Sequence, residues 1–465
     1  MRNQIAACAL LLCLACGGGS TSSPAASTDP APPTDPPQPV VEPAPPAPAD
    51  LDTPLRTALT AAGVGPVIVP AADPARVALG QALMFDKLLS GNQDIACATC
   101  HHPRLETGDG LSLSIGTGGS GLGPGRTLGP GKTFIPRNAN ALFNLSQVEV
   151  LFWDGRVSGN RAAGLQTPAG AQLPAGLTGA LAAQAMFPVT SRDEMRGQPG
   201  DLAVDGSVNE LAALGDDDFA GIWNALAARL KANSQYVSLF QSAFPEVPPD
   251  QIGFQHAANA IAAFESSQLS RLGSPFDRYL AGDNAALTEA QKRGALLFFG
   301  TARCSVCHRG GLLSDFSFHS IAAPQVGPGK GDEAPLDFGR ARETGLAADR
   351  FAFRTPPLRN VALTGPWTHS GAYTSLEAVV RHYINPARAL QAYDPGQLEA
   401  RLQGQVHNQE SIAAGLLESL DPVLRQPNPL NDGEVADLVE FLRSLTDPAP
   451  LPAAPASVPS GLPVD

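Results

Sequence analysis

A chain of 465 residues with 43% hydrophobic content is long enough for two domains, each with its own core. Its formal net charge of −13 argues against nucleic acid as a partner. The seven cysteines divide into Cys8, Cys13 and Cys16 near the start and four far inside, which leaves none for a disulfide framework.

In chain order, Met1-Arg2 and an apolar run from Ile5 to Ala15, too short to span a bilayer, read as a signal peptide over residues 1–15. The run stops at Leu14-Ala15-Cys16-Gly17, which is similar to a bacterial lipobox with Cys16 as the lipidated residue, although Cys13 stands where Leu is usual. Residues 16–50 are rich in Gly, Ser, Pro and Ala, a composition that cannot bury enough surface to fold and predicts an extended tether. A helix is expected from Asp73, with Asp73 as N-cap, Pro74 in the first turn, and Val77, Leu79, Leu83 and Met84 on its apolar face.

That helix leads into Cys97-Ala-Thr-Cys100-His101. A Cys-x-x-Cys-His run is the attachment signature of c-type haem: two thiols on one turn reach the haem vinyl groups, and the following imidazole reaches the iron. A disulfide, half a zinc site or a redox pair would fit one such run. The pattern recurs as Cys304-Ser-Val-Cys307-His308, however, and these four are the only cysteines beyond residue 16. Two covalently bound haem c groups are therefore expected, and covalent attachment of this kind suits an exported protein. A haem protein of this charge suits a small electron carrier as partner.

Gly116 to Lys132 reads as a Gly/Pro-rich loop, and Gly159 to Gly179 as an irregular insertion. Phe219 to Phe240 and Gln255 to Leu269 read as amphipathic helices. Thr288-x-x-Gln291 is a capping box, and Gly294-Ala-Leu-Leu-Phe-Phe299 echoes Gly80-Gln-Ala-Leu-Met-Phe85, a weak internal repeat in which each haem follows a helix of similar design. A final helix is expected from Asp432 to Leu445. The fold class is mainly α, with two cytochrome c-like helical domains at 51–275 and 276–448, a Pro-rich tail at 449–465, and little β structure.

Haem function turns on the sixth coordination position. Met1, Met84, Met186 and Met195 all precede Cys304, so no methionine from the second domain can cap its own haem. Thr374-x-x-Glu377 is a capping box, and Leu376, Val379, Val380 and Tyr383 form one helical stripe behind it. On that phase Tyr383 is buried, as a core residue or a ligand, while His382 points about 100° away and reads as a surface residue. In the first domain, Trp153 lies in Phe152-Trp-Asp-Gly-Arg156, and Gln184, Glu194 and Met195 follow. A carboxylate beside an open iron could move a proton between the oxygens of a peroxide, although a glutamate in isolation is more often a solvated surface residue.

Together these motifs, with Arg137-Asn138, Gln184-Ala185, Glu194-Met195 and Arg359-Asn-Val-Ala-Leu-Thr364, resemble the bacterial dihaem cytochrome c peroxidase/MauG family from about Asp73 to Pro448. The resemblance implies a peroxidatic N-terminal haem on His101 with Gln184 and Glu194 in its distal pocket, and a second haem on His308. It also implies an electron path through Trp153, and calcium bound by the Asn138 side chain with the Thr364 and Pro366 carbonyls. The family's ligand to the second haem lies nineteen positions after the calcium-binding Thr, which is Tyr383 here; His382 remains the alternative. Classical members carry Met at that position and MauG-like members Tyr. An anionic oxygen lowers the potential, which suits storing oxidising equivalents over relaying electrons from a high-potential donor.

The expected function is reduction of hydrogen peroxide to water with electrons from a periplasmic cytochrome c or cupredoxin. The alternatives are MauG-like oxidation of Trp or Tyr on a partner protein, and a non-enzymatic dihaem electron carrier. The expected address is the periplasm, anchored to the outer membrane through Cys16, with a homodimer left open. His369 is placed near haem or propionate; His102, His256, His319 and His407 are read as structural or exposed.

Overall fold

Helices carry most of the regular structure of the chain in a computed structural model that describes residues 19–20 and 50–465. The expectations for residues 1–15, for Cys16 and for most of the tether fall outside the described residues. The helix-dominated architecture expected from the sequence is the one observed. Strands are short: an antiparallel three-stranded sheet pairs Val150 with Ser158 and Ser158 with Gln166, and two further pairs have two strands each. No described helix is long and apolar enough to cross a membrane.

The echo between the two Gly-led helices has a packing cause. Helix Pro74–Phe85 is capped by Asp73, whose carboxylate accepts from the Ala75 and Arg76 amides, and it crosses helix Phe254–Gln268. A Cβ at Gly80 would sit 2.0 Å from the Ala260 carbonyl oxygen. Helix Glu289–Phe299 opens with the expected Thr288–Gln291 capping box and crosses helix Asp432–Arg443, where a Cβ at Gly294 would lie 1.9 Å from the Asp437 oxygen. Both backbones approach closely because the crossing residue has no side chain, and each crossing backs one haem-attachment motif.

Two main apolar clusters result. One gathers Leu79, Leu83, Met186, Trp223, Ile261 and Phe264. The other gathers Phe276, Phe298, Tyr373, Leu438 and Phe441, and also takes in Leu55 and Leu59 from helix Asp52–Ala61 and Leu111, Leu113 and Ile115 from the segment after the first motif.

Four local expectations change. The segment Phe219 to Phe240 is two helices, Phe219–Ala232 and Ser234–Ala243, because extended Asn233 ends the first and its side chain caps the second. The supposed irregular insertion carries a hairpin, Val157–Asn160 against Gly164–Gln166, whose turn is held by the Asn160 side chain accepting from the Ala162 and Ala163 amides. Helix Leu376–Ile384 is capped by Ser375 rather than Thr374.

The fourth change is the tail. Its prolines prevent a helix, yet Val458 is buried in the first cluster, with Leu451, Ala454 and Val464 against it. The Asn233 amide donates to the Pro459 carbonyl at 2.8 Å, the Ser460 hydroxyl donates to Asp86 at 2.6 Å, and Asp465 pairs with Lys87 at 2.6 Å and accepts from Thr99, inside the first motif. The tail is a strap across the back of that motif.

Candidate active site

Each attachment motif is a single turn followed by a histidine whose Nδ1 is tied to a backbone carbonyl a few residues on. His101 Nδ1 lies 3.0 Å from the Thr107 oxygen, and His308 Nδ1 lies 3.0 Å from the Leu313 oxygen. A carbonyl at Nδ1 favours the tautomer with its proton there and Nε2 unprotonated, the state required of an iron ligand. Burial lowers the pKa of both rings, that of His308 to about 4, so both are neutral at physiological pH.

The four cysteines are free. Burial pushes the Cys97 and Cys304 thiols up to about 12 and raises Cys100 as well, so they are not reactive thiolates of the kind a redox pair needs. Among the described residues, the one trio of metal-capable groups is Cys307, Asp315 and His319, which thioether formation at Cys307 would dissolve. Cys100, His101, Trp153, Cys304, His308 and Tyr383 all line one continuous cavity. Its walls fit two haem groups: at each end a Cys pair and a histidine tied through Nδ1 face the same apolar space.

The two ends differ. At the His101 end, Gln184 from helix Ala180–Ala185 and Glu194 reach the cavity. Glu194 is carried by a single π-helical turn, Arg192–Arg196, in which the Arg196 amide donates to the Ser191 carbonyl and the Gly197 amide to the Arg192 carbonyl. The turn is braced from outside: the Thr117 amide donates to the Glu194 carbonyl at 2.9 Å and the Gly91 amide to the Met195 carbonyl at 2.7 Å. Burial raises the Glu194 pKa, opposed by the charges of Arg156 and Lys330 and by a hydrogen bond from Ser191.

The brace depends on Gly116, where a Cβ would stand 1.7 Å from the Asp193 carbonyl oxygen and 2.7 Å from that of Glu194. Gly116→Ala is expected to displace the turn and slow any reaction that uses the Glu194 carboxylate about 10²-fold, the scale of a misplaced group. Gly125→Ala in the same loop, with open space around its Cβ, should leave the rate alone. Initial rates at matched haem content compare the two.

At the His308 end, Tyr383 faces the proximal histidine, with ring centroids 6.5 Å apart and planes at 76°. Its hydroxyl has no hydrogen-bond partner among the described residues, and burial pushes its ionisation above the ordinary tyrosine range. His382 is not on the surface. It is fully buried, with Nδ1 2.7 Å from the Tyr373 hydroxyl and Nε2 2.7 Å from the Ile321 carbonyl, so both nitrogens are engaged. Between the ends, the Trp153 indole donates to the Asn138 carbonyl at 2.9 Å, and its own carbonyl accepts from the Arg354 amide at 2.8 Å.

Residues 74–285 match the family described as di-haem cytochrome c peroxidase. Methylamine utilization protein MauG of Methylorubrum extorquens is 34% identical over 313 residues, covering 67% of this chain and 69% of the relative. The chain belongs to the dihaem cytochrome c peroxidase/MauG family. Cytochrome c551 peroxidase of Pseudomonas aeruginosa is 30% identical over 65% of this chain and 69% of its own length. Among solved structures, a MauG-like protein associated with microbial copper homeostasis aligns with a TM-score of 0.55 at 26% identity, covering 83% of this chain and 94% of the other.

In this dihaem family member, the oxygens that the resemblance assigns to calcium are unclaimed. The Asn138 side-chain amide donates to the Leu111 and Ser112 carbonyls, and its oxygen has no donor. The Thr364 and Pro366 carbonyls likewise accept no hydrogen bond from described residues, and all three residues line the cavity. Three uncharged oxygens suit a hard cation that completes its shell with water. His369 is buried, stacked on Phe353 at 3.7 Å, and its carbonyl accepts from the Asn138 amide.

Two functional features escaped the sequence. The buried ion network of Arg137 with Asp154 (2.5 Å) and Asp337 (2.6 Å) ties the Trp153 segment to residues nearly two hundred positions away. Lys330, flanked by glycines, reaches the same cavity. The Arg137-Asn138 and Phe152–Arg156 motifs gave the only hint of the network, and nothing local marked Lys330.

Proposed function

We propose that this chain is an exported peroxidase that reduces hydrogen peroxide to water with electrons from a small periplasmic donor, a cytochrome c or a cupredoxin. Two haem domains, 51–275 and 276–448, would each hold one haem c, through Cys97, Cys100 and His101 and through Cys304, Cys307 and His308. Bound haem supplies the iron that takes electrons from the donor and passes them to peroxide. The observation that carries the reading is the asymmetry of the cavity: a buried carboxylate at one histidine, a partnerless phenol at the other.

The chain's own groups then divide the work. Glu194 takes the proton from one peroxide oxygen and returns it to the other, so that the O–O bond breaks with water as the leaving group. Gln184 can donate its amide N–H to the bound oxygen and orient it. Tyr383 would cap a haem held at His308 and keep exogenous ligands from it, and Trp153, locked by Asn138 and Arg354, lies between the two sites. Asn138, Thr364 and Pro366 would hold calcium beside that bridge. The first sixteen residues support export and anchoring at Cys16 to the outer membrane.

A second reading, peroxide-dependent oxidation of Trp or Tyr on a partner protein, is favoured by the phenol at position 383 and by the likeness to MauG. Steady-state assays decide between them. Oxidation of two equivalents of reduced cytochrome c per peroxide supports the first. Peroxide consumption that needs a protein substrate supports the second. A protein in which neither iron binds cyanide in any redox state would be an electron carrier and no peroxidase.

A further inference from the structure

We propose that Tyr373 is a redox-active tyrosine with His382 as its proton acceptor, set in a file of aromatic rings that leads from the second haem site toward the surface. The inference rests on the reading above that peroxide oxidises the bound haem pair.

Two hydrogen bonds on one imidazole prepare the pair. His382 is fully buried on helix Leu376–Ile384, and its Nε2 lies 2.7 Å from the Ile321 carbonyl. A carbonyl can only accept, so it favours the tautomer with the proton on Nε2 and leaves Nδ1 as an acceptor. The Tyr373 hydroxyl stands 2.7 Å from that Nδ1 and donates to it. Tyr373 is itself 4% exposed, and its carbonyl accepts from the Trp367 amide at 2.8 Å. An oxidised phenol is a strong acid, so in a site closed to water its proton needs a base already within hydrogen-bond reach. His382 is that base.

The rings stand in sequence. Centroids are 6.5 Å apart from His308 to Tyr383, 6.1 Å from Tyr383 to His382, 5.2 Å from His382 to Tyr373, and 5.6 Å from Tyr373 to Tyr393. Tyr393 is flanked by exposed Ala392 and Asp394, and its hydroxyl donates to the Ala372 carbonyl at 2.6 Å. A carbonyl is too weak a base to take that proton, so the oxidised state settles on Tyr373. The tyrosines outside the file are less suited. Tyr236 lies in the first cluster and donates to Asp86, a carboxylate it shares with the hydroxyl and amide of Ser460. The Arg56 guanidinium sits over the Tyr279 ring at 4.5 Å, a positive charge that opposes electron loss.

The step balances within these groups. One electron leaves the Tyr373 phenol for the haem site at His308, which is reduced by one equivalent. The phenolic proton moves along the 2.7 Å bond to His382 Nδ1. Tyr373 becomes a neutral radical beside an imidazolium, and an electron returned by a donor or a partner protein brings the proton back.

The test mixes the haem-loaded protein with hydrogen peroxide in the absence of a donor. Samples are frozen for electron paramagnetic resonance, and the haem bands are recorded on the same mixtures. Wild type should give an organic radical signal that narrows when ring-deuterated tyrosine is incorporated. Tyr373→Phe keeps the ring and deletes the O–H, and should lose the signal at unchanged haem content. His382→Gln keeps a hydrogen-bond acceptor without a base and should lose it too, whereas Tyr393→Phe should keep it. A tyrosyl signal that survives in Tyr373→Phe or His382→Gln overturns the inference, as does its loss in Tyr393→Phe. Wild-type haem bands that respond to peroxide with no tyrosyl signal overturn it as well. If the bands ignore peroxide altogether, the peroxidase reading fails first and the relay falls with it; the bands tell the two failures apart.

Discussion

Glu194→Gln is expected to slow peroxide consumption about 10²–10⁴-fold at unchanged haem content, because it removes the carboxylate that the π-helical turn presents to the cavity while keeping its shape. The amide cannot accept a proton from one oxygen and pass it to the other. The pH dependence gives the sign. A proton acceptor works only when ionised, so wild-type activity should fall as pH drops through the pKa of Glu194 in the folded protein. Burial places that point above the ordinary glutamate value of 4.5. The Gln variant should be slow and flat across the same window. Stopped-flow initial rates against pH measure both, and a variant with wild-type rate would remove Glu194 from the mechanism. Gly116→Ala acts on the same group by moving its backbone, so the double variant should be little slower than Glu194→Gln alone.

How far the site could be read from the sequence follows from the range of each constraint. Thioether attachment is local, since two thiols and a histidine must share one turn, and Cys97–His101 and Cys304–His308 announce themselves. Helix crossings are nearly as local: Gly80 and Gly294 stand out because only glycine admits the facing backbone. The phase of helix Leu376–Ile384 separated Tyr383 from His382 but misjudged where His382 would end. An angle on a helical wheel predicts solvent only if the helix is covered on one side. Here the Ile321 carbonyl closes the other. The tail misled for a related reason. Its composition cannot build a core, yet Val458 borrows one from the first cluster. Lys330 was illegible because loop closure and Arg137–Asp337, separated by two hundred residues, decide its position.

Tyr383→Phe is expected to raise cyanide uptake by the fully oxidised protein from one equivalent per chain to two. The substitution deletes a single oxygen from a side chain whose hydroxyl finds no protein partner, so no protein hydrogen bond is lost with it. Without haem the variant should be about as stable as the parent, since the half-buried hydroxyl faces the cavity and gives up no protein hydrogen bond. With haem the oxygen counts, because the phenol is the group that faces His308 across the cavity at 6.5 Å. Burial holds that phenol neutral, so only a cation beside it could draw off the proton. Loss of the visible-region signature of an anionic oxygen ligand should accompany the second cyanide equivalent. His382→Ala makes the reciprocal case. It severs contacts to Tyr373 and to the Ile321 carbonyl, which should lower stability by about 1–3 kcal/mol while leaving the ligand spectrum and cyanide stoichiometry as they were. The opposite pairing of results, an unchanged spectrum for Tyr383→Phe and a changed one for His382→Ala, would transfer the ligand role to the histidine.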